Sequence, residues 1–247
     1  MVSDFYQHPE LYDALLPAGA HLPFYLELAR NSPERVLELA VGTGQLAVPI
    51  AAAGLRTYGL DRSASMLMHA KRRAAAAGVH LELAEGDMRK FELGCRFSFI
   101  FIARNSLLHV LSTADLVATF TAVRRHLAPD SIFAFDVFNP DVKILSRPTG
   151  QRFPFMNVTT EVFGSLTVEV THDYDAAAQV DRGIWYISAA DEPDKWVVSV
   201  VVRSIFPQEL PLLLEAAGLH LVSQFGDLSG EPFGPASPRQ VCLCKAA

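Results

Sequence analysis

Twelve consecutive residues constrain this chain more than any others: Val36-Leu-Glu-Leu-Ala-Val-Gly-Thr-Gly-Gln-Leu-Ala47. A β-rich run passes into two closely spaced glycines and then into a helical stretch. Glycines at 42 and 44 let the backbone turn tightly and let a ligand approach where a Cβ would intrude. Taken alone, Gly42-x-Gly44-x-x-Ala47 also fits the dinucleotide fingerprint. The segment therefore predicts a βαβ unit with a ligand on its turn and leaves the ligand open.

The surrounding sequence extends that unit. Short β-rich runs at 35–40, 56–61, 79–84, 97–103 and 131–137 alternate with helical stretches, the signature of a parallel sheet. A helix over 44–53 is stopped by Gly54, and Ser63 caps a helix that runs to Ala77 with Gly78 as its stop. Ser112 and Asp115 open another helix reaching Leu127. The expected fold class is α/β: a Rossmann-like, mostly parallel sheet with helices on both faces. After Pro140 the runs at 157–174, 180–189 and 195–206 alternate like antiparallel strands, with a turn at 191–194. Pro207 suits the first turn of a helix over 208–217, which Gly218 stops before strands at 219–225 and 239–245. The 247 residues, 50% hydrophobic and 19% charged, suit one large domain. Its parts are a helical lid (1–33), a ligand-binding core (34–140), an antiparallel β insertion (141–206) and a closing helix with strands (207–247).

Charge and cysteine usage narrow the partners. Twenty-one Lys and Arg against 27 Asp and Glu give a net charge of −6, which argues against a nucleic-acid surface. Lys71-Arg72-Arg73 and Arg124-Arg125-His126 fall on helices, where a solvated face or the helix dipole accounts for them. The acidic start lacks the order of a secretory signal, and apolar runs such as 196–202 are strand-length, so no membrane and a cytoplasmic location are expected. Cys95, Cys242 and Cys244 make no disulfide framework or metal spacing, and no metal is expected.

Two acids bear on the ligand. Glu38 lies at the carboxyl end of the first strand, where it can face a cation and would repel a pyrophosphate. Gly86-Asp87-Met88 follows the third strand and offers a carboxylate for an amino group and an apolar side chain for a ring. Asp61, ending the second strand, suits ribose hydroxyls in either reading. Together Glu38-Leu-Ala-Val-Gly-Thr-Gly44, Gly59-Leu-Asp61-Arg-Ser-x-x-Met66-Leu and Gly86-Asp-Met-Arg89 resemble, in order and spacing, the successive motifs of class I S-adenosylmethionine-dependent methyltransferases. The resemblance spans at least 34–139. It implies S-adenosylmethionine as cofactor, S-adenosylhomocysteine as product, and binding residues Glu38, Ala40, Gly42, Thr43, Gly44, Asp61, Arg62, Met66, Asp87, Met88 and Ala103. Ala40 stands where many members carry glycine.

A finer resemblance lies after the fourth strand. Asn105-Ser106-Leu-Leu-His109-Val110 is similar to a stretch of the glycine N-methyltransferase group. It implies Ser106 and His109 on the cofactor side and Asn105 toward the substrate, and Leu11-Tyr12 resembles a pair whose hydroxyl lies near the reacting centre. The arginine that this group uses for the cofactor carboxylate has no counterpart: Gly19 stands there, with His21 close by. The expected function is in-line transfer of a methyl group to a nitrogen, or to an oxygen, of a small molecule. His109 and Tyr12 are the expected catalytic groups, with Tyr6, Tyr12, His21, Asn105 and Phe138 as substrate-binding residues. A dinucleotide-dependent oxidoreductase and a non-catalytic binding module are the alternatives. After the fourth strand there is no Asn-Pro-Pro-aromatic run of the kind that marks nucleic-acid methylation.

Overall fold

The computed structural model describes residues 2–32 and 34–247. The first and last positions of the expected 1–33 lid, Met1 and Pro33, lie outside the described residues. The chain divides into two compact units, one formed by the residues up to Pro17 with Pro140–Ser204, the other by Ala18–Asn139 with Ile205–Ala247.

The larger unit is built on a seven-stranded sheet in the order Leu219–Phe225, Arg239–Ala246, Leu127–Phe138, Phe97–Ile102, Arg35–Leu39, Arg56–Asp61, Glu82–Glu85. The five strands from Arg35 to Phe138 pair in parallel, and Arg239–Ala246 runs antiparallel to both its neighbours. These five are called the first to fifth strands below. Alternate side chains of a strand point to opposite faces. On one face Tyr25 and Ala29 of the helix His21–Arg30 join Leu46, Ile50, Phe99, Phe101 and Ala134 in a buried cluster. On the other, Phe120 of the helix Thr113–His126 meets Phe133 and Phe135, with ring centroids 6.0 and 5.8 Å apart. The helix-on-both-faces expectation is met by this alternation within one strand.

Caps follow the sequence closely. Ser63 accepts the Met66 N–H at 3.3 Å and opens Ala64–Ala76, and Ser112 accepts the Asp115 N–H at 3.1 Å. The third strand differs from expectation, starting at Glu82 rather than 79. The Val79 N–H instead bonds Ala74 O at 3.1 Å while Gly78 takes φ +64°, so Val79 completes the helix cap. The closing helix is shorter than expected, Leu210–Ala216. Glu209 Oε1 accepts the Phe206 N–H at 2.7 Å, folding Pro207 into a turn before the helix and leaving Pro211 in its first turn. The fifth strand begins early, at Leu127, with an irregular register opposite Phe97 to Phe99.

The smaller unit carries a six-stranded sheet. Phe153–Thr160, Gly164–Thr171, Val180–Ala189 and Glu192–Arg203 form an antiparallel meander, Tyr174–Asp175 pairs with Val180–Ala189, and Ser3–Asp4 adds in parallel to Glu192–Arg203. The stretch expected as one strand region, 157–174, is thus a hairpin, and the 191–194 turn is shorter because pairing resumes at Glu192 with Ala189. The 1–33 segment is divided between the units: the helix Pro9–Leu15 belongs to the smaller and His21–Arg30 to the larger.

Candidate active site

The strand order reverses between the first and fourth strands, and open α/β sheets bind ligands outside the carboxyl ends of strands at such a point. Here the chain leaves the first strand through Ala40, held at φ +57°, and Gly42, at φ +55°. The second strand dictates that turn. Leu60 O accepts the Val41 N–H at 3.0 Å, and Asp61 Oδ2 accepts the Gly42 N–H at 2.8 Å. Asp61 Oδ1 takes the Ser63 N–H at 2.9 Å. Burial raises the Asp61 carboxyl above its ordinary range, opposed by the Ser63 and Gly42 hydrogen bonds and the Arg62 charge. The Arg62 N–H also bonds this carboxylate, so one acceptor site is left for a ligand hydroxyl.

The two motif glycines do different work. A Cβ built on Gly42 meets no protein atom within 4 Å, so the space over it is open to a ligand. A Cβ on Gly44 would press Val48 Cγ2 at 3.1 Å and Ala70 Cβ at 3.2 Å. Gly44 therefore lets the helix Ala64–Ala76 pack against the turn.

Glu38 is buried, and its Oε2 has no hydrogen-bond partner. Burial pushes its carboxyl well above the ordinary range, against the Arg104 charge and a backbone hydrogen bond from Ala47, with Asp61 adding to the rise. A sealed carboxylate oxygen without a donor is costly unless a cation or N–H group arrives. That orphaned oxygen and the open volume over Gly42 fit a cofactor with an ammonium group.

The other expected cofactor residues are spread around the same strand ends. Thr43 and Met66 are buried, Ala103 is buried just after the fourth strand, Arg62 is exposed and Met88 half-buried. Asp87 is already engaged: Arg89 Nη2 and Nε reach it at 2.6 and 3.0 Å, and Arg89 Nη1 reaches Asp115 at 3.1 Å. The Arg89 hydrogen bond, against a burial penalty, holds the Asp87 carboxyl below the usual carboxylate range.

Farther along the sheet a second cluster forms around Asp136, which is fully buried at the end of the fifth strand. Oδ1 accepts Tyr25 Oη–H at 2.7 Å and the Arg104 N–H at 2.8 Å. Oδ2 takes Arg239 Nη1 at 2.5 Å and His21 Nε2 at 3.2 Å. Burial disfavours the charge, but the His21 hydrogen bond and the His21 and Arg239 charges outweigh it and hold Asp136 below the usual range. Burial, with Asp136 next, pushes the Tyr25 hydroxyl well above its ordinary value. Arg104 and Asn105 both sit in the left-handed region, φ +60° and +65°, a strained pair fixed by their N–H bonds to Asp136 Oδ1 and O. Asn105 stands before the 3-10 turn Ser106–His109, yet its side chain caps nothing and accepts Arg239 Nη1 at 3.3 Å. Arg239 also lies over the ring of Phe138, 4.7 Å from its centroid, and that ring is 51% exposed.

Three expected residues, His21, Asn105 and Phe138, are thus gathered by Asp136 and Arg239, neither of which was singled out in the sequence. Ser106 and His109 follow on the adjacent turn, both half-buried. Tyr6 and Tyr12 are in the smaller unit, where their rings lie 5.9 Å apart and pack on Phe5, itself 5.2 Å from Trp185. Among the described residues no group of three or more His, Cys, Asp or Glu can hold a metal ion. Among the same residues no helix is long and apolar enough to cross a membrane.

Residues 36–130 match a family model described as a methyltransferase domain. Over 231 residues the chain is 26% identical to the cypemycin N-terminal methyltransferase of a Streptomyces species, covering 91% of this chain and 88% of that one. It is 35% identical over 132 residues to the dTDP-3-amino-3,6-dideoxy-alpha-D-glucopyranose N,N-dimethyltransferase of Streptomyces fradiae, half of each chain. The chain spans about half the length of the first curated relatives it matches. Among solved structures, the CcbJ methyltransferase of Streptomyces caelestis superposes with a TM-score of 0.79 at 28% identity, over 94% of this chain and 90% of that one.

Proposed function

Since the chain belongs to the class I S-adenosylmethionine-dependent methyltransferases, we propose that it methylates an amine nitrogen of a small molecule, with S-adenosylhomocysteine as the other product. The observation that carries this reading is the buried, unpartnered Oε2 of Glu38, together with the open volume over Gly42. A pyrophosphate there would add negative charge beside a sealed carboxylate, whereas an ammonium supplies the missing donor.

The cofactor brings a methyl group on a positively charged sulfur, already activated for displacement. The chain has to hold and align. Glu38 would receive the ammonium, Asp61, which keeps the glycine turn in place, would accept a ribose hydroxyl, and Met88 beside Asp87 would offer an apolar side chain to the adenine ring. Fixed alignment replaces an encounter in solution, and a dry pocket keeps water from competing. An attacking amine must arrive neutral, and His109 is the residue on the cofactor-side turn that takes its proton. An amine acceptor is favoured by the relatives named above, whose names place their methyl groups on amines.

Calorimetry with S-adenosylmethionine, S-adenosylhomocysteine and a nicotinamide dinucleotide tests the reading, followed by a labelled-methyl screen over amines and alcohols. Tight binding of the dinucleotide alone would overturn it in favour of an oxidoreductase. Cofactor binding with no acceptor across a broad screen would favour a binding module.

A further inference from the structure

We propose that Arg239, with Asn105 and Phe138, forms a carboxylate-binding subsite, so that the methyl acceptor is an amine that also carries a carboxylate. The inference rests on the methyltransferase reading for the word acceptor; the anion site itself stands on geometry. Arg239 opens the last strand and pairs in register with Phe138 at the carboxyl end of the fifth strand, and Asn105 follows the fourth. Both therefore stand at the sheet edge where ligands bind.

The hydrogen bonds of Arg239 are one-sided. Nη1 gives its two protons to Asp136 Oδ2 and Asn105 Oδ1. Nε and Nη2 have no partner among the described residues, and neither is among the buried polar atoms left unpaired. Those two nitrogens form the fork edge that meets a carboxylate with two parallel hydrogen bonds. The guanidinium cannot turn away from this pose without breaking its bonds to Asp136 and Asn105 and leaving the Phe138 ring. Such preorganisation lowers the ordering cost of binding an anion.

Charge decides the kind of ligand. Asp136 already accepts four hydrogen bonds, so it has no lone pair to offer an incoming amine. Its single negative charge is shared between Arg239 and the ring of His21, which leaves donors rather than acceptors facing outward. Because Arg239 is partly neutralised by Asp136, a singly charged carboxylate matches it better than a doubly charged phosphate. The amide nitrogen of Asn105, also without a partner among the described residues, adds one donor, and the exposed face of Phe138 supplies an apolar border.

The test uses the full chain and three probes in ligand-observed NMR titrations: benzoate, its neutral counterpart benzamide, and inorganic phosphate. Benzoate should bind saturably and at least about 10-fold more tightly than benzamide, and Arg239→Gln should weaken it about 10- to 150-fold. Asn105→Asp tolerates the left-handed backbone, places a negative charge at the site and should also cost at least about 10-fold; it keeps the test decisive if Arg239→Gln fails to fold. Absence of saturable benzoate binding by the unaltered protein, equal binding of benzamide, or a preference for phosphate would overturn the subsite. So would wild-type benzoate affinity in Asn105→Asp. A parallel titration with S-adenosylhomocysteine separates the two readings: binding of it without benzoate refutes the subsite alone, and binding of benzoate without it refutes the methyltransferase reading.

Discussion

Replacing Glu38 by Gln should raise the stability of the free protein while weakening the cofactor, an opposition that follows from one unpaired oxygen. In the free protein Oε2 is sealed from water with no donor, and burial lifts the carboxyl well above its ordinary range. A buried unsatisfied polar group costs about 1–3 kcal/mol. Gln keeps an oxygen for the Ala47 backbone N–H but brings an amide N–H₂ of its own, so the net gain should be about 1 kcal/mol, or about 2–4 °C in Tm for a chain of this size. The size of this gain depends on pH. A raised folded value means that Glu38 ionises at a cost, so the two proteins should match in acid, where the carboxyl is protonated in both states. The gap should then open as pH rises above the ordinary carboxyl value of the unfolded chain and level off once it has passed the raised folded value. Cofactor binding reverses the balance, because loss of a charge-assisted hydrogen bond is worth about 1.5–3 kcal/mol, roughly 10- to 150-fold in Kd. Binding to the unaltered protein should also weaken as pH falls through that same value, with proton release seen as a dependence of the calorimetric enthalpy on buffer ionisation. Thermal unfolding across pH and calorimetry on both proteins check this. A Glu38→Gln protein with lower Tm and unchanged cofactor affinity would refute the reasoning.

Three further outcomes follow from the same geometry. Ala40→Gly should stabilise the chain by about 1 kcal/mol in chemical denaturation, since Ala40 holds φ +57°, where a side chain costs roughly 1–2 kcal/mol and glycine loses part of that gain through unfolded-state entropy; a loss of stability would contradict the strain. Gly42→Val should fold with only the backbone penalty of its positive φ yet lose cofactor binding, whereas Gly44→Ala should lose stability through its contacts with Val48 and Ala70; calorimetry and denaturation on the pair would disprove the division of labour if both variants behaved alike. Asp136→Asn should cost about 3–5 kcal/mol by leaving Arg239 facing an uncharged buried partner. Because the folded value of Asp136 is depressed, its contribution is present above the unfolded value and disappears as pH falls through the folded one, so the variant should lack part of the acid-limb slope in denaturation at stepped pH, and an unchanged slope would count against the charge.

What the sequence made legible was what local pattern encodes. The first strand and its glycine turn were readable because a buried parallel strand is a nearly continuous apolar run, and a turn with φ above zero asks for glycine. The caps at Ser63 and Ser112 were readable because each satisfies a donor three residues away. The start of the third strand was not, since Val79 is equally at home in a strand and in the hydrogen bond that closes the preceding helix. Pro207 misled for a similar reason: a proline near a helix start fits its first turn and also the turn before it.

The Asp136 cluster was hidden for a different reason, and its position explains what it does for the site. Asp136 interrupts an aromatic strand, 133–138, where a single acid gives no periodic signal, and its partners His21, Tyr25 and Arg239 lie 115, 111 and 103 residues away. Only the sheet order brings them together, by setting the last strand against the fifth. Two of the buried acids at the strand ends, Glu38 and Asp136, then have opposite characters. Glu38 is short of donors and its carboxyl is pushed up, so it gains by taking a ligand; Asp136 has all its donors and is held down, so it gains nothing from one. An acid of the first kind can discriminate a ligand, because binding removes a penalty the free protein carries. An acid of the second kind can only position others, here the strained Arg104–Asn105 turn and the guanidinium of Arg239. Ligand recognition on the fifth-strand side of the sheet must accordingly come from the groups Asp136 holds rather than from Asp136 itself.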